Sequence, residues 1–144
     1  MANKSREIFQ TTHGLNVAYV VYPLVAAGVA AGIAVANGAG ANTFTAADVV
    51  MVALNAITAE FWFCGVDVGA IDVADTFLVD IRAPIDLTSI YGFRTGISAV
   101  TGNLGTFKPP YPVRIAANTS VGARSAGVTG THSITISVVI ATGL

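Results

Sequence analysis

The clearest hydrophobic pattern along the chain is a two-residue alternation, present near its middle and again at its end. In "TFLVDIRA", Phe77, Val79 and Ile81 share one face, while Leu78 and Asp80 fall on the other. The apolar face of the closing run "SITISVVIA" consists of Ile134, Ile136, Val138 and Ile140. This period is typical of strands with one buried face. We therefore predict two strands that contribute directly to a core.

Glycine, asparagine and proline separate the other apolar runs. "VRIAANTSVGAR" predicts a strand that starts at Val113, a turn, and a second strand from Val121 to Arg124. The stretch from Thr88 to Pro112 is rich in Gly and Pro, which predicts loops. Several short strands joined by such turns predict an all-β sandwich or closed sheet.

The segment 45–56 is compatible with two structures. Thr45 and Asp48 have the spacing of a helix capping box, after which a short helix could follow. The cluster Val49, Val50 and Val52 favours a strand instead, because β-branched side chains pack well on a pleated surface. We predict a strand here.

The run from Asn16 to Ala36 contains no charge and admits three interpretations. Its length fits a membrane span, but its apolar content is largely Ala and Gly. A basic start and "AVA" at Ala34 to Ala36 resemble a signal peptide, although the region before the apolar run is long. The third interpretation, strands buried on one side by the core and on the other by a neighbouring chain, fits the alternation around Tyr19 best and is the one we predict.

The first fourteen residues lack periodicity and contain three of the chain's fifteen charges. We predict an N-terminal arm over residues 1–14, followed by one β-sandwich domain over residues 15–144. Ile8 and Phe9 are the large apolar residues of the arm. They are predicted to anchor it on a partner.

Charge is scarce in this chain. Asp, Glu, Lys and Arg make up 10% of the residues, against about 25% in ordinary soluble domains, while hydrophobic residues make up 53%. A lone globule needs a charged surface to stay soluble, so we expect much of the surface to be covered by other chains. The net charge of −1 argues against nucleic acid and anionic membranes as partners.

The residues that perform chemistry do not form a recognisable motif, so we predict no enzyme activity and no cofactor. His13 and His132 have no neighbouring nucleophile with an orienting group in the sequence. The single Cys64, among aromatic residues, is predicted to be a buried, inert thiol. Four carboxylates fall within a short stretch: Asp67, Asp72, Asp75 and Asp80. Their spacing does not match a calcium loop, so a solvated loop without metal is predicted.

The arginines are the better candidates for a binding role. The four in question are Arg82, Arg94, Arg114 and Arg124. Arg makes bidentate contacts with carboxylates, so these residues are candidates for ion pairs across subunits. The equally weighted alternative is ordinary surface pairs, worth about 0–1 kcal/mol each.

The strand and turn pattern from Phe61 to Ala141 resembles that of small virion structural proteins of tailed bacteriophages. The resemblance is carried by "TFLVDIRAPI", by "PPYPVRIAANTSVGARSAG" and by the final "SITISVVIA". In those proteins a "fLvDIg" strand precedes a "fPvrIPaGtRiaaRa" hairpin. This chain has "IAANTS" in place of "IPaGtR", which makes Asn118 the expected turn residue, and Ser120 replaces the first Arg of the hairpin.

The resemblance implies a jelly-roll-like sandwich that sits on a capsid or tail as an oligomer. On this basis we expect a capsid decoration, or cement, protein on the capsid surface of a virion. Its partners would be the major capsid protein and further copies of itself, as a trimer. The alternative is a tail or fibre module that binds a host receptor through loop aromatics, for which Tyr91, Phe93, Phe107 and Tyr111 are candidates.

Overall fold

The computed structural model describes residues 18–23, 32–96 and 100–143. These residues form strands, turns and bends, and no helix occurs among them. The strands, in chain order, are β1 Ala18–Tyr22, β2 Ile33–Ala36, β3 Val49–Val52, β4 Phe61–Ile71, β5 Phe77–Arg82, β6 Ser89–Thr95, β7 Val100–Phe107, β8 Val113–Ile115, β9 Val121–Gly127 and β10 Ser133–Thr142. The predicted all-β class is confirmed for the described residues.

The first sheet is built around β10 and β4, which pair antiparallel along most of their lengths. On the far side of β10, β1 pairs with Val138 to Thr142 and β2 with Ser133 to Ile136. On the far side of β4, β7 pairs with residues 66–71 and β8 with residues 61–63. Each outer edge of this sheet therefore consists of two shorter strands with a break between them.

The second sheet has the order β3-β9-β5-β6, and its strand pairs are also antiparallel. On one side of the structure, an isolated β-bridge joins the two sheets. It pairs Asn37, at the end of β2, with Ser125 of β9. The buried Ser125 hydroxyl lies 3.0 Å from the Val35 carbonyl oxygen and 2.8 Å from Asn37 Oδ1. This hydrogen bonding holds the edge of the first sheet against the second.

The core lies between the sheets and comes from the alternating strands. Phe77, Val79 and Ile81 are fully buried, as their spacing predicts. The same is true of Ile134, Ile136, Val138 and Ile140 on β10. Two antiparallel sheets that share one core have the arrangement of a β-sandwich.

An aromatic row fills the side of the core opposite the bridge at Asn37. The Phe93 ring of β6 stacks on Phe107 of β7 with 4.5 Å between centroids, and Tyr91 lies 5.8 Å from Phe93. Tyr91 also contacts Phe63 of β4 at 5.7 Å. These separations are those of favourable aromatic pairs. Tyr91, Phe93 and Phe107 therefore join the sheets and do not supply exposed loop aromatics.

Several local predictions are confirmed. Segment 45–56 contains strand β3, and the run from Asn16 to Ala36 contains strands β1 and β2, as predicted. The turn before β9 contains Asn118 with a φ of 59°, in the left-handed region that the missing glycine would have occupied.

One local prediction is wrong. The stretch from Thr88 to Pro112 contains strands β6 and β7, not mainly loops, because pairing with β5 and β4 outweighs the weak strand propensity of its glycines. The Tyr19 side chain of β1 is 52% exposed in this chain, and its burial against a neighbouring chain stays a prediction. The predicted arm and its boundary at residue 14 lie outside the described residues.

Candidate interaction surface

The predicted interface residues fall in different parts of the fold. Ile8 and Phe9 lie outside the described residues. Arg82, Arg94 and Arg124 are on the outer face of the second sheet, on β5, β6 and β9 respectively. Arg114 is on β8 of the first sheet. The structure therefore does not gather these arginines into one patch.

Arg124 forms an ion pair within the second sheet. It lies directly opposite Asp80 in the β5–β9 register, and its Nε and Nη2 donate to Asp80 Oδ2 at 2.9 and 2.8 Å. The other Asp80 oxygen accepts from the Ser89 hydroxyl on β6. The Arg124 guanidinium also lies 4.4 Å from the centre of the Phe44 ring. Two carboxylate bonds and a cation–π contact thus occupy this side chain.

Arg82 holds the loop between β5 and β6 against β3. Its Nη1 donates to Asp48 Oδ1 at 3.2 Å, and its Nη2 donates to the Leu87 carbonyl at 2.9 Å. Asp48 and Asp86 exchange hydrogen bonds, because the backbone N–H of each donates to the other's carboxylate, at 2.7 and 2.9 Å. The Asp48 side chain is 0% exposed. This ion pair is therefore part of the packed structure of the loop.

Arg114 pairs with Glu60, its neighbour across the start of β4. The hydrogen bond to Glu60, together with the charge of that carboxylate, raises the pKa of the Arg114 guanidinium above its ordinary value. The Arg114 side chain is 71% exposed. This pair is a solvated surface pair.

Arg94 differs from the other three. No carboxylate lies within ion-pair distance of it among the described residues. It borders a shallow hollow of about 300 Å³ on the outer face of the second sheet, whose other lining residues are Asn42, Thr76, Leu78, Ala126 and Val128. Of the four arginines, Arg94 has the charge most open to an external carboxylate.

The four aspartates that are close in sequence are apart in the fold. Asp67 accepts from Thr106 of β7, and Asp72 accepts from the Ser133 backbone N–H at 2.9 Å. Asp75 is bonded to Thr129, and Asp80 belongs to the Arg124 pair. Within the described ranges, no three His, Cys, Asp or Glu side chains come close enough together to hold a metal ion. The local sequence density of carboxylates does not produce a converging set of oxygens.

Comparisons with family models, with curated proteins and with solved structures find no match to this chain. The function must therefore be argued from the surface of the molecule.

The described strands and turns include no helix that is long and apolar enough to cross a membrane. The run from Asn16 to Ala36 contributes two strands, β1 and β2, to the first sheet. Its residues 16, 17 and 24–31 lie outside the described ranges.

The side chains that could take part in catalysis are dispersed over the fold. His132 Nδ1 lies 4.0 Å from Asp72 Oδ1. The other histidine of the chain, His13, lies outside the described residues. Cys64 is half-buried, its thiol donates to the Trp62 carbonyl oxygen at 3.6 Å, and burial raises the pKa of that thiol. A raised pKa keeps the thiol protonated and weakly nucleophilic.

Large apolar side chains are exposed on several faces. They are Tyr19, Val50, Leu54, Leu78, Leu87, Tyr111 and Val128. Leu87 is at the tip of the β5–β6 loop, and Leu54 follows β3 at the same end of the second sheet. The three loops at that end are joined by hydrogen bonds, from Asn118 N–H to the Ile57 carbonyl and from Ile85 N–H to the Ser120 hydroxyl. The end is thus a braced surface with exposed leucines.

A second hollow, of about 270 Å³, opens between the β6 edge of the second sheet and the β8 edge of the first. Its lining residues are Ala83, Pro84, Ile90, Arg114, Ile115, Ala116 and Thr119. The lining is mostly apolar and carries no carboxylate. The sequence signal that could have located this edge is "KPPYP", because prolines concentrate at sheet edges and bulges.

Proposed function

We propose that this chain is a capsid decoration, or cement, protein of a tailed bacteriophage. It binds the outer capsid shell through the major capsid protein, as a homo-oligomer with three copies, and stabilises contacts between capsomers. Its sandwich is jelly-roll-like, and residues 1–14 form an arm that grips a neighbour through Ile8 and Phe9. The protein performs no catalysis and acts without a cofactor, nucleic acid or membrane.

The observation that carries this proposal is the combination of internally paired charge and exposed apolar surface. Arg82, Arg114 and Arg124 each pair with a carboxylate of the same chain. Leu54, Leu87 and Tyr111, in contrast, are strongly exposed apolar side chains of the same chain. Burial of such surface against protein is favourable by about 25 cal/mol per Å², before the costs of association are subtracted.

The resemblance to small virion proteins supports the same proposal at particular elements. The "TFLVDIRA" segment is strand β5, and the "PVRIAANTSVGARSAG" segment forms β8, a turn at Asn118 and β9. Strand β5 precedes β8 and β9 in the chain, which is the order that the resemblance implies, and it pairs with β9 in the second sheet. The arginine of β9 that corresponds to the hairpin pattern, Arg124, is used for an internal pair.

The tail or fibre alternative loses most of its candidate receptor-binding aromatics. Phe93 is buried, and Tyr91 and Phe107 stack with it inside the aromatic row. Tyr111 alone of the four is strongly exposed. No specific observation favours a receptor site over a structural contact, so we retain the alternative only as an outcome of the experiment below.

The experiment adds purified protein to undecorated capsid shells and to isolated tails. Co-sedimentation and negative-stain images should show saturable binding to shells, with density at regular positions on their outer surface. Binding of this protein to tails or host cells, without binding to shells, would support the tail or fibre alternative. A protein that binds none of them would reject both proposals.

A further inference from the structure

The edge of the first sheet that is formed by β7 and β8 carries a projecting segment between these two strands. Strands β7 and β8 run in the same direction along the same side of β4, and residues 108–112 interrupt them. This segment, "KPPYP", contains Pro109, Pro110 and Pro112. Each proline fixes its backbone φ angle, so the segment is stiff for its length. Its Tyr111 side chain is 78% exposed.

The hollow of about 270 Å³ lies on the same edge. Arg114 is one of its lining residues and follows Tyr111 by three positions, so their Cα atoms are at most about 10 Å apart. The hollow is smaller than the range of about 300–1,000 Å³ that small-molecule sites usually occupy. It is suited to a single large side chain, with apolar walls from Ile90 and Ile115.

A projecting aromatic ring beside an apolar hollow makes this edge self-complementary, and self-complementarity is what an isologous two-fold contact requires. In such a contact the same patch is used on both subunits, and each residue i that meets j is matched by j meeting i. We propose that two copies of this chain associate through this edge, with Tyr111 of each copy inserted into the hollow of the other.

The chemistry of the patch favours a second copy over a charged partner. Arg114, at the rim of the hollow, is already neutralised by Glu60, so a neutral side chain is the better occupant. A phenol ring satisfies both the apolar lining and the guanidinium, since cations attract the faces of aromatic rings. Tyrosine is also among the residues enriched at protein interfaces and at their energetic centres.

This contact is a specific form of the self-association that belongs to the proposed function. It rests on the proposed self-association and on no other part of that function. Because it is two-fold, it is separate from the three-fold axis of the proposed trimer. In a trimer with this contact, Tyr111 would link one trimer to the next. It does not require a capsid shell.

The test uses sedimentation velocity of the full-length chain over a wide range of concentration. Tyr111→Ala removes the projecting ring, and Ala116→Trp fills the hollow from an exposed lining position. Each should weaken two-fold association by at least about tenfold, as for truncation of a central anchor residue. Tyr19→Ala, at the opposite edge of the first sheet, is the matched control and should associate as the wild type does. Unchanged thermal melting shows that each variant is folded.

Mixing the two variants provides a sharper result. A Tyr111→Ala chain keeps an open hollow, and an Ala116→Trp chain keeps its tyrosine, so a mixed pair regains one of its two insertions. The equimolar mixture should therefore associate more strongly than either variant alone. No gain on mixing, wild-type association of Tyr111→Ala, or a wild type that stays monomeric would each overturn the contact. If the contact passes while wild-type protein fails to bind shells, the shell proposal is rejected and the contact stands.

Discussion

Asp75 is held in its charged form by the loops at one end of the sandwich. Its Oδ2 accepts hydrogen bonds from the backbone N–H and the hydroxyl of Thr129, at 3.1 and 3.0 Å, and its Oδ1 accepts from Thr76 N–H at 2.7 Å. Burial raises the pKa of this carboxyl, but the hydrogen bonds from Thr129, Thr76 and Val128 outweigh burial. The pKa of Asp75 in the folded protein therefore lies below its ordinary value.

The lowered pKa predicts an acid-dependent part of the stability. Between the folded pKa and the ordinary value of about 3.9, the unfolded chain binds more protons than the folded one, so stability rises with pH. The contribution of Asp75 is complete above the ordinary value and is lost as pH falls through the folded pKa. We expect Asp75→Asn to lower the free energy of unfolding by about 1–3 kcal/mol at neutral pH. The difference from wild type should shrink in acid.

Urea denaturation of both proteins from neutral pH down into the acid range measures this effect. Asp67→Asn, which removes a carboxylate bonded to the Thr106 hydroxyl, serves as the control. If the free energies of unfolding of wild type and Asp75→Asn differ by the same amount at every pH, Asp75 does not supply an acid-dependent part of the stability.

Gly122 illustrates how a single missing side chain shapes the outer face of the second sheet. A Cβ atom at this position would lie 2.5 Å from Ile85 Cγ1 and 2.8 Å from Asp48 Cβ. Gly122→Ala should therefore overpack the site and lower the free energy of unfolding by about 1–3 kcal/mol. Gly92→Ala on β6 is the matched control, because its nearest neighbour would be the Val79 carbonyl at an ordinary 3.6 Å. Equal denaturation midpoints for the two variants would contradict the close packing of Ile85.

At the scale of elements, alternation in the sequence was sufficient to predict the strands that face the core. Strands β5 and β10 have their apolar positions two residues apart, and one face of each is buried. Strands β6 and β7 lack that signal, because glycines such as Gly92 and Gly105 interrupt their side-chain pattern. Gly105 has a φ of 114°, yet it pairs with Val68 of β4, and the register of the β4–β7 pair shifts between Gly105 and Thr101. Local composition could not show this pairing.

The β5–β6 loop depends on an ion pair with a buried carboxylate. We expect Asp48→Ala to lower the free energy of unfolding by about 3–5 kcal/mol, because it leaves the Arg82 charge without its partner. Glu60→Gln, which breaks the exposed pair with Arg114, should leave the melting temperature nearly unchanged. Differential scanning calorimetry of the two variants makes the comparison. A loss for Asp48→Ala as small as that for Glu60→Gln would mean that the loop is not held by this pair.

At the scale of the whole molecule, the sequence identified the arginines as candidate ion-pair residues but could not identify their partners. The arginines were recognisable because charge is scarce, but Arg82 pairs with Asp48 and Arg124 with Asp80, which are 34 and 44 positions away. Such pairings arise only once strands are placed side by side. The hollow between β6 and β8 is likewise a product of two sheet edges: "KPPYP" marks one of them, but no local pattern shows that the other lies beside it.

The proposed arm provides the prediction at this scale. Deletion of Met1 to Gln10 should leave a folded β domain, because the described strands already enclose a hydrophobic core of their own. The same deletion should weaken binding to capsid shells, since Ile8 and Phe9 are the proposed anchors. Co-sedimentation with shells, together with a melting curve of the free protein, measures both effects. Shell binding as tight as that of the full chain would remove the latch role, and unfolding would move the domain boundary.

The interrupted outer strands of the first sheet have a consequence for the handling of so apolar a protein. Fibrils grow when a long, straight strand edge templates the same segment of another molecule. Here one edge is divided between β1 and β2 and the other between β7 and β8, with prolines at the second break. Neither side offers a continuous ladder of free backbone groups over the full width of the sheet. A chain that is 53% hydrophobic therefore presents, on its first sheet, no long uninterrupted strand edge of the kind on which fibrils grow.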